Sequence, residues 1–261
     1  MLVWILQTGE PLKCDGRDIR PMRAINLGTA LILKKHKAEI ISTKFYHQKK
    51  IFRKHKSYKY FGGNLKETLI SSPGYKKNLS LGRLFDHHIL FFNLLLYLLK
   101  KNEKPDLIFI GYPPIEWSLA SIIYAKLKNI PIVTDVKDLW PDIFWDKENI
   151  FKIKKIILKI IFLPYSIYAS IINICSDYIT APTIEIANYF RKKYSNKFLK
   201  LFLFGKVSKT FASPIVPPRD NLVSSEIFNQ KANPKSCLKL IFIGSLMSVY
   251  DFETVSKSLN I

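Results

Sequence analysis

The stretch Pro131–Phe144, PIVTDVKDLWPDIF, decides how this chain is read. A short apolar segment, PIVTDV, passes directly into Asp138 and Asp142 around a Trp140–Pro141 pair, with Asp135 near its end. An apolar run of this length, entered through proline and left through polar residues, predicts a buried strand. Carboxylates gathered at the far end of a buried strand predict the rim of a site, because in open α/β sheets ligands sit outside the carboxyl ends of the strands.

The same alternation extends on both sides. LVWIL (2–6) predicts a first strand, and a helix follows from about Pro21 to Lys35, with proline in its first turn. AEIIST (38–43) is the next expected strand, then a helix over about 84–101, the strand DLIFIG (106–111) and a helix over about 115–128. After PIVTDV come DYITAP as a strand, TIEIANYFRKKY as a helix and KFLKLFLFG as a strand. Near-continuous apolar strands separated by helices predict an α/β fold: a Rossmann-like parallel sheet with helices on both faces. The loops after Leu6, Ile110 and Val136 then face one crevice.

The chain has 261 residues and is 48% hydrophobic, enough for one large domain or two ordinary ones. Its formal net charge of +21 points to an anionic partner: nucleic acid, anionic lipid headgroups or a phosphate-bearing substrate. Much of the excess is lysine, as in KFYHQKKIFRKHKSYK (44–59), which contains no acid and also reads as a solvated basic loop. Cys14, Cys175 and Cys237 are widely separated and lack metal-type spacing, so neither a disulfide framework nor a zinc site is expected. The apolar run in MLVWILQTGEPL is too short for a signal peptide, and a cytoplasmic location is expected.

The segment 150–174, IFKIKKIILKIIFLPYSIYASIINI, is apolar enough to raise the question of a membrane span. Lys159 lies inside it and Pro164 interrupts it, which favours two helical pieces, one lying on a membrane surface with lysines directed outward. Residues 212–237 are rich in Pro, Ser and Asn and read as a linker after a first domain of residues 1–211. Residues 238–261 supply one strand, a glycine turn and the opening of a helix, too little to bury a core of its own.

Four stretches, in order, resemble the family 4 glycosyltransferases of the two-domain GT-B fold, especially sugar transferases of bacterial surface-polysaccharide assembly. They are QTGEPLKCDGRDIRPMRAINLGTALILKKHKAEIISTKFYHQKKIFR, SSPGYKKNLSLGRLFDHHILFF, GYPPIEWSLASIIYAKLKNIPIVTDVKDLWPDIF and LKLIFIGSLMSVYDFETV. The resemblance implies a retaining transfer of sugar from a nucleotide-diphosphate sugar to a lipid-linked or glycan acceptor in lipopolysaccharide or capsule synthesis. It also implies a protein peripheral on the inner face of the cytoplasmic membrane, with no metal and no cofactor beyond the donor. Residues 1–211 would be the acceptor-side domain, and 238–261 the start of a truncated nucleotide-sugar-binding domain. Because such families grip the nucleotide mainly through the second domain, residues 1–261 alone are expected to turn over little or no donor.

Sugar transfer builds positive character at the sugar ring and negative charge on the departing diphosphate. Asp138 is the expected acceptor-side carboxylate, as proton acceptor or orienting partner, with Asp135 second and Asp142 a helix cap. Gly9 and Gly16 would let the first loop approach the donor closely, although the family's glycine pair is here Gly16–Arg17. Arg20 and Arg23, flanking Pro21 at a helix N-terminus, are candidate phosphate contacts. His47, Pro113, Gly244 and Ser245 complete the expected substrate contacts. Trp117 and Trp140 read as packing, and His87 and His88 as residues of a helix start without metal-type partners.

Two other readings compete. A basic nucleic-acid-binding protein would draw on Phe45, Tyr46, Phe52 and Tyr58 among the lysines of 44–59, but no helix-turn-helix, zinc or RNP-type pattern accompanies them. A nucleotide-sugar epimerase on the same architecture would lack a lipid-facing surface.

Overall fold

The computed structural model describes residues 1–16, 19–54, 57–60, 63–78, 80–145, 152–194 and 199–201. The expected linker at 212–237, the strand and helix of 238–261, and with them Gly244 and Ser245, lie outside the described residues. By its internal contacts the chain divides at Ala212–Ser213, and every described residue belongs to the first unit.

That unit is built on strands β1 (Leu2–Leu6), β2 (Lys37–Thr43), β5 (Ser57–Tyr60), β6 (Leu65–Ile70), β7 (Leu107–Tyr112), β8 (Ile132–Val136), β9 (Tyr178–Ala181) and β10 (Leu199–Leu201). They form one sheet in the order β10-β9-β8-β7-β1-β2-β6-β5. Every pairing is parallel except that of β5 with β6, so an antiparallel strand closes one edge. The chain starts in the middle and winds outward in both directions, the arrangement that opens a crevice at the carboxyl ends. A two-stranded hairpin, β3 (Phe45–Tyr46) with β4 (Ile51–Phe52), stands apart from the sheet.

Helices cover both faces. On one, Trp4 and Leu6 pack against Leu90, Leu94 and Leu98 of α2 (Leu81–Lys100), α3 (Ile115–Leu127), and Ala169 and Ile172 of α5 (Leu163–Cys175). On the other, Val3, Ile5 and Ile40 pack against Ala24 and Ile25 of α1 (Arg23–Leu33). The two-residue period of β1 thus feeds two cores, which is why LVWIL has no polar position. Helix α6 (Ile184–Tyr194) adds Phe190 to the first core.

Helix α4 (Lys152–Ile161) and α5 meet at a bend of 67°, and no single helix among the described residues is long and apolar enough to cross a membrane. Pro164 is the second residue of α5, where its missing N–H removes no intrahelical bond, so the break falls at Phe162.

The strands β5 and β6 and the β3–β4 hairpin are additions to the sequence-based expectation. In LKETLI the charged pair Lys66–Glu67 masks a strand, because Glu67 is fully buried and its two carboxylate oxygens accept from the Lys13 N–H at 2.9 Å and the Cys14 N–H at 3.2 Å.

Candidate functional site

The chemistry-bearing end of the sheet begins with the loop after β1. Gly9 has φ of +73°, a conformation that only glycine adopts without strain, and a Cβ there would meet nothing within 4 Å. The loop is anchored on both sides of that glycine. The buried Glu10 accepts from the Ala24 N–H at the head of α1 at 2.9 Å and pairs with Lys137 just past β8. Asp15 accepts from Nε and Nη2 of Arg53, at 2.7 and 2.8 Å, and Arg53 further donates to the Thr43 and Glu10 carbonyls at 2.7 and 2.9 Å. A guanidinium this fully satisfied fixes the loop to the β2–β3 corner.

Beside this loop lies a cavity of about 630 Å³ at the carboxyl ends of the strands. Its wall takes Thr8 and Gly9 from the first loop, His47 from the β3–β4 turn, and Pro113 and Pro114 from the loop after β7. Trp140, Phe144, Phe162 and Tyr165 form its aromatic side, with Phe144 and Phe162 stacked at 4.7 Å between centroids. Leu84, Leu90 and Ile115 add aliphatic surface.

The lip of this apolar cavity is cationic. Lys50 Nζ lies 4.2 Å from the centroid of the Tyr75 ring and donates to Asn78 Oδ1 at 2.6 Å, and the Arg83 guanidinium lies 5.7 Å from the same ring. Burial and the neighbouring Arg83 hold Lys50 below the ordinary lysine range. His47 is pressed down to about 4, first by burial and then by Lys50 and Arg83, so it is neutral at pH 7. Its Nδ1, 3.1 Å from Lys50 Nζ and in contact with the Tyr75 hydroxyl, is accordingly an acceptor.

Inside the wall, His87 of α2 and Glu116 of α3 face each other, Nδ1 to Oε2 at 3.3 Å. The Tyr165 hydroxyl donates to Glu116 Oε1 at 2.9 Å. Burial works to raise the Glu116 carboxyl, but the contacts from His87 and Tyr165 outweigh it and hold it below the usual range. Asp86 is buried and turned to the Gly74 N–H at 2.6 Å.

Of the residues expected from sequence, Gly9, His47 and Pro113 come together in this wall. Others do not. Asp135 is fully buried, ion-paired with Arg23 and accepting from the Thr180 hydroxyl at 2.7 Å, so neither it nor Arg23 is open to a substrate. The pair ties the start of α1 to the end of β8. Asp138 is half-buried with its Oδ1 on the Leu139 N–H at 2.8 Å, outside the cavity wall; burial raises its carboxyl, partly offset by that N–H. Asp142 is not a cap: it is buried and takes the Tyr189 hydroxyl at 2.6 Å and the Lys193 ammonium. Arg20 and Gly16 are exposed and away from the wall. Trp117 is core, as its place in an apolar helix implied, whereas Trp140 is in the wall.

The sequence reading missed the His87–Glu116 pair. Its only signal was an acid two residues past Pro114, in the buried first turn of a mostly apolar helix.

No protein-family model matches the chain, and no curated protein matches it in sequence. Solved structures resemble it in shape. A sucrose-phosphate synthase from Thermosynechococcus elongatus superposes with a TM-score of 0.48 at 10% identity, over 79% of this chain and 90% of that one. An Arabidopsis thaliana protein complexed with quercetin gives 0.45 at 11%, over 87% and 53%. Anabaena HepE in complex with UDP-glucose gives 0.40 at 12%, over 78% of this chain and 44% of that one. These likenesses concern the path of the chain; the chemistry rests on the residues above.

Proposed function

We propose that this chain supplies the acceptor side of a GT-B glycosyltransferase, which moves a sugar from a nucleotide-diphosphate sugar to a lipid-linked or glycan acceptor of surface polysaccharide with retention of configuration. The observation that carries the reading is the cavity at the carboxyl ends of a parallel sheet, with the glycine loop on one side and the Pro113–Pro114 loop on another. An aromatic and aliphatic wall with a cationic lip suits an acceptor whose phosphate is attached to an apolar chain. The four motif stretches point to the same family.

A membrane surface fits the same reading. Ile153, Ile156, Ile157, Ile160 and Ile161 of α4 are each at least 50% exposed, as are Leu163, Ile167 and Ile174 of α5. Lys152, Lys154, Lys155 and Lys159 share α4 with them. An amphipathic helix carrying both bulky apolar residues and lysines is the composition that binds an anionic bilayer in its plane. Ile161, Phe162 and Tyr165, at the junction of the two helices, also line the cavity, so an acceptor anchored in lipid has a short path into it. The protein is then cytoplasmic and peripheral on the inner membrane face.

Among the described residues of the basic run 44–59, Arg53 is buried against Asp15 and Lys50 is turned to the cavity lip, so these two cations are not offered to a nucleic acid.

The test is incubation of the complete protein with radiolabelled nucleotide sugars and membranes from its host. Label entering the lipid or glycan fraction is the expected result. Conversion of the donor to an isomeric nucleotide sugar without acceptor indicates the epimerase instead, and no change in any donor by a preparation that includes a nucleotide-sugar-binding domain removes the reading.

A further inference from the structure

Resting on the sugar-transfer reading and its membrane surface, we propose that the exposed apolar stripe of α2 lies on the same anionic bilayer as α4, so that lipid borders the cavity mouth at both helices. Helix α2 is held to the body of the unit by Leu90, Leu94 and Leu98. It also carries Leu81, Phe85, Phe92, Leu96 and Leu99, each between 44% and 83% exposed. With His88 these residues recur every three or four positions, which places them on one face of a 20-residue helix about 30 Å long. His88, the polar member of the row, is turned back to the Leu84 carbonyl at 2.7 Å. The described residues leave this stripe open, and a continuous apolar surface of this kind marks a contact with a partner.

Charge selects that partner. Lys76 and Lys77 are exposed just ahead of the helix, Arg83 stands in its first turn, and Lys100 and Lys104 are exposed at its far end. The helix has one acid, Asp86, and it is buried. Glu103, past the helix, is paired with Lys101 at 3.8 Å. A second copy of this chain laid antiparallel along the stripe would set Arg83 against Lys100, and a parallel copy would set each cation against itself. An anionic bilayer satisfies both cationic ends and the apolar middle together.

The stripe also runs into the cavity. Leu81 and Leu84, in the first turn of α2, are exposed and line the wall, as does Ile161 at the end of α4. The mouth is thus bordered by exposed apolar side chains from two separate helices. Two contacts on one folded unit reinforce each other, because the second forms within the same complex as the first.

The test uses the full chain with methyl-labelled leucine and isoleucine, on phosphatidylglycerol nanodiscs that carry a gadolinium-chelate lipid. The methyls of Leu81, Leu96 and Leu99 are expected to broaden together with those of Ile156 and Ile160. Leu33, exposed on α1 at the other face of the sheet, is expected to stay sharp. Sharp α2 methyls beside broadened α4 methyls overturn the proposal. The double variant Phe85→Asp with Phe92→Asp, α4 intact, is expected to weaken binding to phosphatidylglycerol vesicles about tenfold or more. Unchanged binding by a variant with wild-type circular dichroism overturns it, and if the variant misfolds the wild-type broadening decides. A dimer that forms without lipid and is lost in Phe92→Asp gives the stripe to a second copy and overturns the bilayer contact. None of these measurements needs a sugar. Sugar transfer by a protein whose α2 methyls stay sharp overturns this proposal alone, whereas broadened methyls on a protein that transfers no sugar support the contact and count against the transfer reading.

Discussion

Arg53 reaches back 38 residues to grip Asp15 with two of its nitrogens, and both side chains are nearly sealed from solvent at 2% and 7% exposure. The same guanidinium holds the carbonyls of Thr43 and Glu10 and lies 4.5 Å from the Tyr46 ring centroid. One residue of a run that reads as a solvated lysine loop thus fastens the glycine loop to the sheet.

Removing Arg53 leaves Asp15 buried without its countercharge. Arg53→Ala is expected to lower unfolding stability by about 3–5 kcal/mol. Arg53→Lys should recover only part, since an ammonium lacks the planar fork. Urea unfolding followed by circular dichroism measures both. A loss below about 1 kcal/mol for Arg53→Ala would mean that the clamp carries no structural weight.

Gly74 occupies φ of +78°, and a Cβ there would come within 2.8 Å of both the Phe45 and Phe52 rings. Gly74→Ala combines backbone strain with a clash against the buried Phe45 ring and the more exposed Phe52 ring. A loss of about 2–4 kcal/mol is expected. Thermal unfolding checks it, and Gly63→Ala, where φ is +87° but nothing lies within 4 Å, serves as the control for backbone strain alone.

His47 gives a pH dependence with a definite sign. Its folded value of about 4 lies below the ordinary histidine value of about 6.5, so the unfolded chain binds the proton first as pH falls. Its contribution to stability is fully present above pH 6.5 and is lost progressively as pH drops toward 4. In His47→Gln the melting temperature should fall less steeply over this window than in wild type. Equal slopes for the two proteins would show that His47 is not held neutral.

The α4 face is expected to sediment with vesicles containing anionic lipid and to stay in solution with zwitterionic ones. Each lysine removed from Lys154 and Lys155 should weaken binding by about 1 kcal/mol. Replacing Ile156 and Ile160, which are 58% and 66% exposed, with aspartate should abolish it while leaving the fold intact. Vesicle binding that survives the aspartate pair would place the membrane contact elsewhere.

The alternation of apolar runs and amphipathic segments made most of the sheet legible, because β1, β7 and β8 are largely buried and β1 and β7 are almost wholly apolar. Strand β6 was hidden by Glu67, whose burial depends on N–H groups 53 and 54 residues away. The site divided in the same way. Gly9 and Pro113 could be placed at strand ends from local pattern alone. Asp135 could not be separated from Asp138 by pattern, since what distinguishes them is the Arg23 partner 112 residues before Asp135. The His87–Glu116 pair joins separate helices, and no local spacing announces it.

The central claim is that this cavity seats an acceptor with an apolar chain and a phosphate. Titrating isotope-labelled protein with farnesyl phosphate and following amide and indole shifts tests it most directly. Saturable shifts at Gly9, Leu84, Tyr165 and the Trp140 indole, lost in Arg83→Ala, are expected. Shifts confined to α4, or none at millimolar ligand, would contradict it.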